Sequence, residues 1–241
     1  MPDSRRHRGP HPEDHRLFHD DRVAELRKAV ADFSLLLTRG YATPSALKLV
    51  GDRFNLTERQ RTAIQRASCS DQAMANRKRS EVSLPAIADQ PLVVDGYNIL
   101  TTLETALSGG PIFACRDACF RDMASIHGTY RKVEETIPAL NLLGEFLNIA
   151  GFRRITILLD SPVSNSGRLK TVIESVNTDW DVELVPNPDP ILAASDHIIV
   201  TADSIILDAA KRWLNLARQI ITRRIPDAWI IDLTSPTTAP D

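Results

Sequence analysis

Four aspartates occupy positions from which carboxylates do chemistry. Asp95 ends the apolar run Leu92-Val93-Val94, and Asp160 ends Ile157-Leu158-Leu159. Asp203 follows Ile198-Ile199-Val200-Thr201-Ala202, and Asp189 stands before the helical run Pro190-Ile191-Leu192. Parallel strands deliver their C-terminal residues to one edge of a sheet, where open α/β folds hold their ligands. Carboxylates gathered there repel one another, and a hard divalent cation relieves that repulsion. Mg²⁺ or Mn²⁺ prefers such an all-oxygen set. The chemistry that profits most is phosphodiester hydrolysis, in which one or two metals activate water and stabilise the leaving oxygen. Asp95, Asp160, Asp189 and Asp203 are therefore the expected catalytic and metal-binding residues. Plainer roles also stand open: Asp160 can cap the turn into Ser161-Pro162, and Asp203 can N-cap a helix beginning at Ser204.

Other side chains qualify as substrate contacts. Asn98, three residues past Asp95, can orient a metal-bound water or a phosphate, or simply stabilise the turn at Gly96. Ser164-Asn165-Ser166-Gly167-Arg168 is a small-residue loop entering a helix. Its backbone N–H groups can receive a phosphate, with Arg168 and Lys170 adding charge, or it is an ordinary strand-to-helix connection. Arg116, Arg121, Arg131 and Lys132 can track a nucleic-acid backbone, and Asp208 is a peripheral acid. His11, His15 and His19 recur at four-residue spacing in a polar segment, and Cys115 and Cys119 read as buried thiols.

These residues need a frame. The expected fold is α/β, a mainly parallel sheet with helices on both faces, preceded by a small all-helical domain. Residues 1–20 read as a flexible polar tail, 21–75 as a basic helical domain and 76–90 as a linker. An α/β domain spans 91–235, and 236–241 is a second tail. Val23, Leu26, Val30, Phe33 and Leu37 form the stripe of an amphipathic helix ended by Gly40. Thr43-Pro44 reads as the N-cap and first-turn pair of a second helix, and Thr57-Glu58-Arg59-Gln60 has the capping-box pattern for a third. Strands are expected at 92–94, 155–159, 182–185, 198–201 and 229–231. Helices are expected around 118–123, 134–150, 169–176, 190–194 and 204–217.

Composition narrows the class. The chain has 241 residues, 43% of them hydrophobic and 25% charged, the balance of an ordinary globular protein. No apolar run approaches the ~18 residues of a membrane span. Three cysteines make no disulfide framework, and a cytoplasmic location is expected. The net charge of −2 hides a segment, 39–79, with nine Lys and Arg against three Asp and Glu, so that the remainder carries −8. A basic module beside an acidic one suits nucleic acid, RNA foremost, or else a helical cap with a solvated face. Position 97 is Tyr, where a haloacid-dehalogenase phosphatase wants a second aspartate. No late-strand lysine marks a receiver domain, and no GxGxxG follows the first strand to bind a nicotinamide.

Val94-Asp95-Gly96-Tyr97-Asn98 resembles the opening motif of the PIN-like NYN nucleases. Asp160, Asp189 followed by Ile191, and Thr201-Ala202-Asp203 are similar to the later acidic positions of that superfamily. More narrowly, residues 22 to 220 resemble the family called domain of unknown function 434, in which a short helical domain precedes a PIN-like domain. The segments that carry this likeness are Arg39-Gly40-Tyr41, the stretch from Ser45 to Arg53, Arg59-Gln60-Arg61, and Ser161 to Gly167. The resemblance also covers Arg121-Asp122, while Asp117-Ala118 departs from an expected Asp-Gly. It implies a metal-dependent nuclease using Mg²⁺ or Mn²⁺. The alternative is a PIN-like protein that binds nucleic acid or forms complexes without turnover.

Overall fold

The computed structural model describes residues 6–84, 89–124 and 128–234. The tail expected at 236–241 lies outside them, as do parts of the first tail and of the expected linker. An all-helical region comes first, comprising α1 (Asp14–Leu17), α2 (Asp20–Thr38), α3 (Thr43–Arg53), α4 (Glu58–Ala67) and α5 (Asp71–Ser80). The stripe Val23, Leu26, Val30 and Phe33 turns inward from α2 and meets Ala46 and Val50 of α3 and Ala63 and Ile64 of α4. Gly40 takes φ +81° just past α2, a left-handed conformation that glycine adopts without Cβ strain. The capping box forms in full: the Gln60 N–H donates to Thr57 Oγ1 (3.3 Å) and the Thr57 N–H to Gln60 Oε1 (3.1 Å). Thr43 differs from expectation, being the first residue of α3 rather than its cap.

Two boundaries also differ. Within the segment read as a flexible tail, α1 buries Asp14 and Leu17, and Phe18 meets Phe113 edge-on at 5.0 Å. Asp14 is held by Arg59, whose Nη2 donates at 2.7 Å. The segment read as a linker begins inside α5, where Arg77 is only 3% exposed. A polar run looks solvated in sequence because its partners are remote; here one arginine pairs with an aspartate forty residues on.

The α/β domain follows, with β1 (Leu92–Asp95), α6 (Gly96–Leu107), β2 (Ile112–Ala114), β3 (Phe120–Arg121), α7 (Thr136–Ile149) and β4 (Ile155–Asp160). It continues with α8 (Ser166–Val176), β5 (Asp181–Val185), α9 (Pro188–Ala194) and β6 (Ile198–Val200), and ends with α10 (Ser204–Ala209), α11 (Leu216–Arg224) and β7 (Ile230–Asp232). The main sheet has the order β5-β4-β1-β6, all parallel. Leu92 and Val94 point into one core with Ile155, Ile157, Leu103 and Leu143, while Val93 packs on the other face with Leu158, Leu192 and Ile206. Period-two alternation thus covers both faces with helices. A second sheet, β3-β2-β7, pairs β2 antiparallel with β3 and parallel with β7. Its Phe113 and Ile231, with the adjoining Cys115 and Leu233, join the core of the helical region, which therefore packs as a cap on the α/β domain.

The residues from 118 to 123, expected as a helix, form the β2–β3 hairpin instead. Ala118 carries the reversal at φ +66°, the left-handed region. Its carbonyl accepts from Asn215 Nδ2 and Arg218 Nη1, which holds the turn in place. Replacing Ala118 by Gly removes the Cβ strain at the price of unfolded-state entropy, for an expected net gain of about 0.5–1 kcal/mol. A urea titration reads this as a higher midpoint, and a lower one would refute it. The single helix expected over 204–217 breaks into α10 and α11 around the fully buried Trp213, whose Nε1–H donates to the Arg77 carbonyl at 2.7 Å. Helix α6 begins directly after Asp95. Gly96 is its first residue and makes no left-handed turn. A Cβ there would lie 2.7 Å from the side chains of Ile157 and Leu159, so glycine is required by the close approach of β4.

Candidate functional site

Along the sheet, chain order runs outward from β1 to β4 and β5, then returns to place β6 on β1's other side. The reversal opens a crevice between the C-terminal ends of β1 and β6, the position at which such sheets bind ligands. Asp95 and the segment Thr201-Ala202-Asp203 flank it. Thr201 Oγ1 donates to Asp95 Oδ2 at 2.8 Å, and the Asn98 N–H reaches Asp95 Oδ1 at 3.3 Å. Asp203 caps α10, accepting from the N–H groups of Ile205 (2.8 Å) and Ile206 (3.3 Å). Asn98 Oδ1 accepts from the Ala202 N–H at 2.7 Å, tying α6 to the loop that carries Asp203.

Three of the four aspartates are raised in part by the charge of another. Asp95 is buried, and burial pushes its carboxyl up to about 7; Thr201 and the Asn98 N–H pull it down, while Asp203 and Asp160 push it further up. Asp160, half-buried at the end of β4, is raised by burial and by Asp189. Asp189, on the first turn of α9, is raised by burial and by Asp203. Among the described residues, no three His, Cys, Asp or Glu side chains lie together closely enough to hold a metal ion.

The crevice widens into a cleft of about 500 Å³ between the sheet edge and the helical cap. Thr62, Gln65 and Arg66 of α4 face Asp95, Tyr97, Asn98, Asp122 and Asp203 across it. Arg66, about one-third exposed, donates to the carbonyls of Asp122 (2.6 Å) and Ala124 (3.2 Å). Asp122 is buried and accepts from Thr102 Oγ1 at 2.6 Å. Sequence reading missed Arg66 and Gln65, since nothing in a helix some thirty residues before Asp95 marks which side will meet the sheet edge. Tyr97 lay within the motif itself, and its place in the cleft follows from the start of α6.

A buried ionic cluster braces the same loop. Asp117 Oδ2 accepts from Arg77 Nη1 and Arg121 Nη2, each at 2.6 Å. Arg121 Nε donates to the Ala202 carbonyl (2.7 Å), and Arg77 Nη2 donates to that of Ser204 (3.1 Å). The two arginines thus grip the peptide groups on either side of Asp203. Burial alone would raise the Asp117 carboxyl, but the guanidinium groups of Arg121 and Arg77 overcome it and hold it at about 2. Arg121, expected as a substrate contact, lines the cleft with its donors engaged by Asp117, Ala202 and Arg66. Asp208, the peripheral acid, accepts from Arg77 Nε at 2.8 Å.

The loop expected to receive a phosphate is clipped elsewhere. The Ser164 N–H donates to the Gly128 carbonyl, Asn165 Nδ2 to the Tyr130 carbonyl and the Ser166 N–H to the Val163 carbonyl. Ser164, Asn165 and Ser166 thus form a strand-to-helix connection pinned to residues 128–130, while Arg168 is exposed on the first turn of α8. The spaced histidines are spent separately: His15 stacks on Trp229 at 4.6 Å, and His19 contacts Asp21. Many cations of the basic segment are likewise engaged within the cap, Arg61 and Lys48 on Asp52 and Arg59 on Asp14. Among the described residues, no helix is long and apolar enough to cross a membrane.

Comparison with known proteins divides the chain at the boundary between cap and sheet. Residues 84–219 match a domain of unknown function (DUF5616), and residues 25–80 match a protein of unknown function (DUF434). An uncharacterized protein of Methanocaldococcus jannaschii, MJ0935, is 30% identical over 186 residues, covering 76% of this chain and 88% of that protein. No solved structure matches significantly.

Proposed function

The chain belongs to the DUF5616 family, and from its own cleft we propose that it is a PIN-like protein that binds nucleic acid, RNA foremost, without turnover. The PIN-like part of this reading rests on Val94-Asp95-Gly96-Tyr97-Asn98 and the later aspartates. The observation that carries the binding is the cleft between α4 and the sheet edge. Its lining includes Arg66, Gln65, Thr62 and Asn98, which offer donors for phosphate and base edges.

A second reading, hydrolysis with Mg²⁺ or Mn²⁺, is favoured by the way neighbouring aspartates raise the carboxyls of Asp95, Asp160 and Asp189. Oxygen donors suit a hard dication, and Mg²⁺ is held by one or two carboxylates with water and substrate phosphate completing its shell. Asp95 and Asp203, the pair that shares the cleft, fit that pattern. Such an ion would supply charge neutralisation and activation of water. The protein's part would be to offset some of the burial cost of the Asp95 carboxylate through Thr201 and to hold the Asp203 loop through Asn98, Arg77 and Arg121.

The experiment incubates the purified full chain with labelled single-stranded RNA and Mn²⁺. Binding that weakens with added salt while the RNA stays intact supports the first reading. Mn²⁺-dependent cleavage that is lost in Asp95→Asn replaces it with the second. Absence of both binding and cleavage sinks the two together.

A further inference from the structure

We propose that a second cavity, beside the cleft, is the subsite that receives the flanking phosphates of a bound single strand, with Arg131 as a direct contact. The assignment rests on the nucleic-acid reading above and extends its site to a second chamber. The cavity measures about 620 Å³ and lies end to end with the cleft between the same two helices. On α4, Arg59 and Thr62 line the cavity, and Thr62, Gln65 and Arg66 line the cleft. On α6, Asn98, Thr101 and Thr102 line the cleft, and Thr105 lines the cavity. Each set recurs at three- and four-residue spacing, so one face of each helix runs on from chamber to chamber. The loop Asp122-Met123-Ala124 passes along both. From Arg59 to Arg66 the helix rises about 10 Å, roughly three times the ~3.4 Å step of a stacked strand.

Charge changes sign along this path. Asp95, Asp122 and Asp203 outnumber Arg66 and Arg121 in the cleft, whereas Arg8, Arg59 and Arg131 outnumber Glu13 and Glu58 in the cavity. A polyanion is therefore held directly at the basic end, as in grooves that track a nucleic-acid backbone. Two of the arginines there are positioned by buried carboxylates. Asp14 accepts from Nε and Nη2 of Arg59, which leaves Nη1 without a partner among the described residues. Arg8 pairs with the fully buried Glu104, and its Nη2 donates to the Arg131 carbonyl at 3.2 Å. Arg8 thereby fixes the backbone that presents Arg131. The Arg131 side chain is exposed, and its guanidinium has no partner among the described residues. Of the two acids, Glu13 is engaged by Arg16 at 2.6 Å.

The test measures anisotropy of a fluorescein-labelled oligouridylate long enough to span both chambers, across a salt series in buffer containing Ca²⁺ to offset the carboxylates. Arg131→Ala should weaken binding about fivefold and lower the slope of log affinity against log salt by about 0.7, the mark of one lost phosphate contact on a single strand. Gln65→Ala, in the cleft, should weaken binding of the same strand. Lys28→Ala removes an exposed cation of the cap that lines neither chamber, and should change neither affinity nor slope. All three side chains are exposed, so the variants keep the fold. Equal binding by wild type and Arg131→Ala overturns the assignment alone. An equal loss in Lys28→Ala also overturns it, because diffuse attraction then suffices. Loss in Arg131→Ala with none in Gln65→Ala overturns the shared path and leaves an isolated anion site. Failure of the wild type to bind the strand overturns both this assignment and the reading beneath it.

Discussion

Asp117→Ala is expected to destabilise the protein by about 3–5 kcal/mol, because removing one member of a buried ion cluster leaves the others uncompensated. Arg77 and Arg121, at 3% and 8% exposure, would lose their common partner, and the Cys119 N–H would lose its acceptor, Asp117 Oδ1. In a chain of this size such a loss corresponds to roughly 10 °C in melting temperature, measurable by calorimetry. The pH dependence carries a sign of its own. The carboxyl is held at about 2 when folded and titrates in the ordinary carboxylate range when unfolded, so its contribution is complete above that range. It is lost as pH falls through about 2, and the two proteins should converge in stability toward strong acid. A constant gap down to pH 2 would remove the charge argument and leave only packing. Hydrogen exchange should also quicken at the amides of Ile205 and Ile206, since the carbonyls gripped by both arginines bracket Asp203.

Asp95→Asn should work in the opposite direction. The Asp95 carboxyl is pushed up to about 7, above its unfolded value, so the folded state holds a proton that the unfolded state has released. Its contribution is complete below the unfolded pKa and falls away as pH rises toward about 7. Asparagine keeps the shape without the charge. The variant should match wild type near pH 4 and exceed it above pH 7, by roughly 2–4 kcal/mol at ~1.4 kcal/mol for each pKa unit. Thermal melts across that range check it, and a variant less stable than wild type at pH 8 would show that Thr201 and Asn98 outweigh burial. The same melts bear on the metal. If a dication binds at Asp95, Mn²⁺ should raise the wild-type midpoint above pH 7 and leave Asp95→Asn unmoved.

A carboxylate that destabilises its own fold is a familiar mark of a functional site, though buried ion networks also shift pKa values. The contrast between Asp95 and Asp117 shows how the difference arises. Both are buried, yet Asp117 meets two guanidinium groups, whereas Asp95 meets a hydroxyl, one N–H and further carboxylates. The charged form is compensated at Asp117 and left in deficit at Asp95.

The amino-acid sequence by itself determined the local structure. The stripe of α2, the left-handed Gly40, the capping box at Thr57 and the apolar strands ending in Asp95 and Asp160 all arise from neighbours a few residues apart. Backbone propensity and periodicity act over that range, so these features were legible. Elements set by remote partners were not. The polar run at 76–80 is helix because Arg77 finds Asp117 and because Trp213 donates to the Arg77 carbonyl. The turn at Ala118 is left-handed because Asn215 and Arg218 hold its carbonyl. The site divides the same way. That four aspartates stand near strand ends and helix starts is written in the chain. Which of them share a cleft, which charges are already spent, and that α4 forms the opposite wall were decided only when β6 settled beside β1 and the cap closed over the second sheet. Local patterns specify elements, but a charge has meaning only against its neighbours in space, and those are chosen by packing.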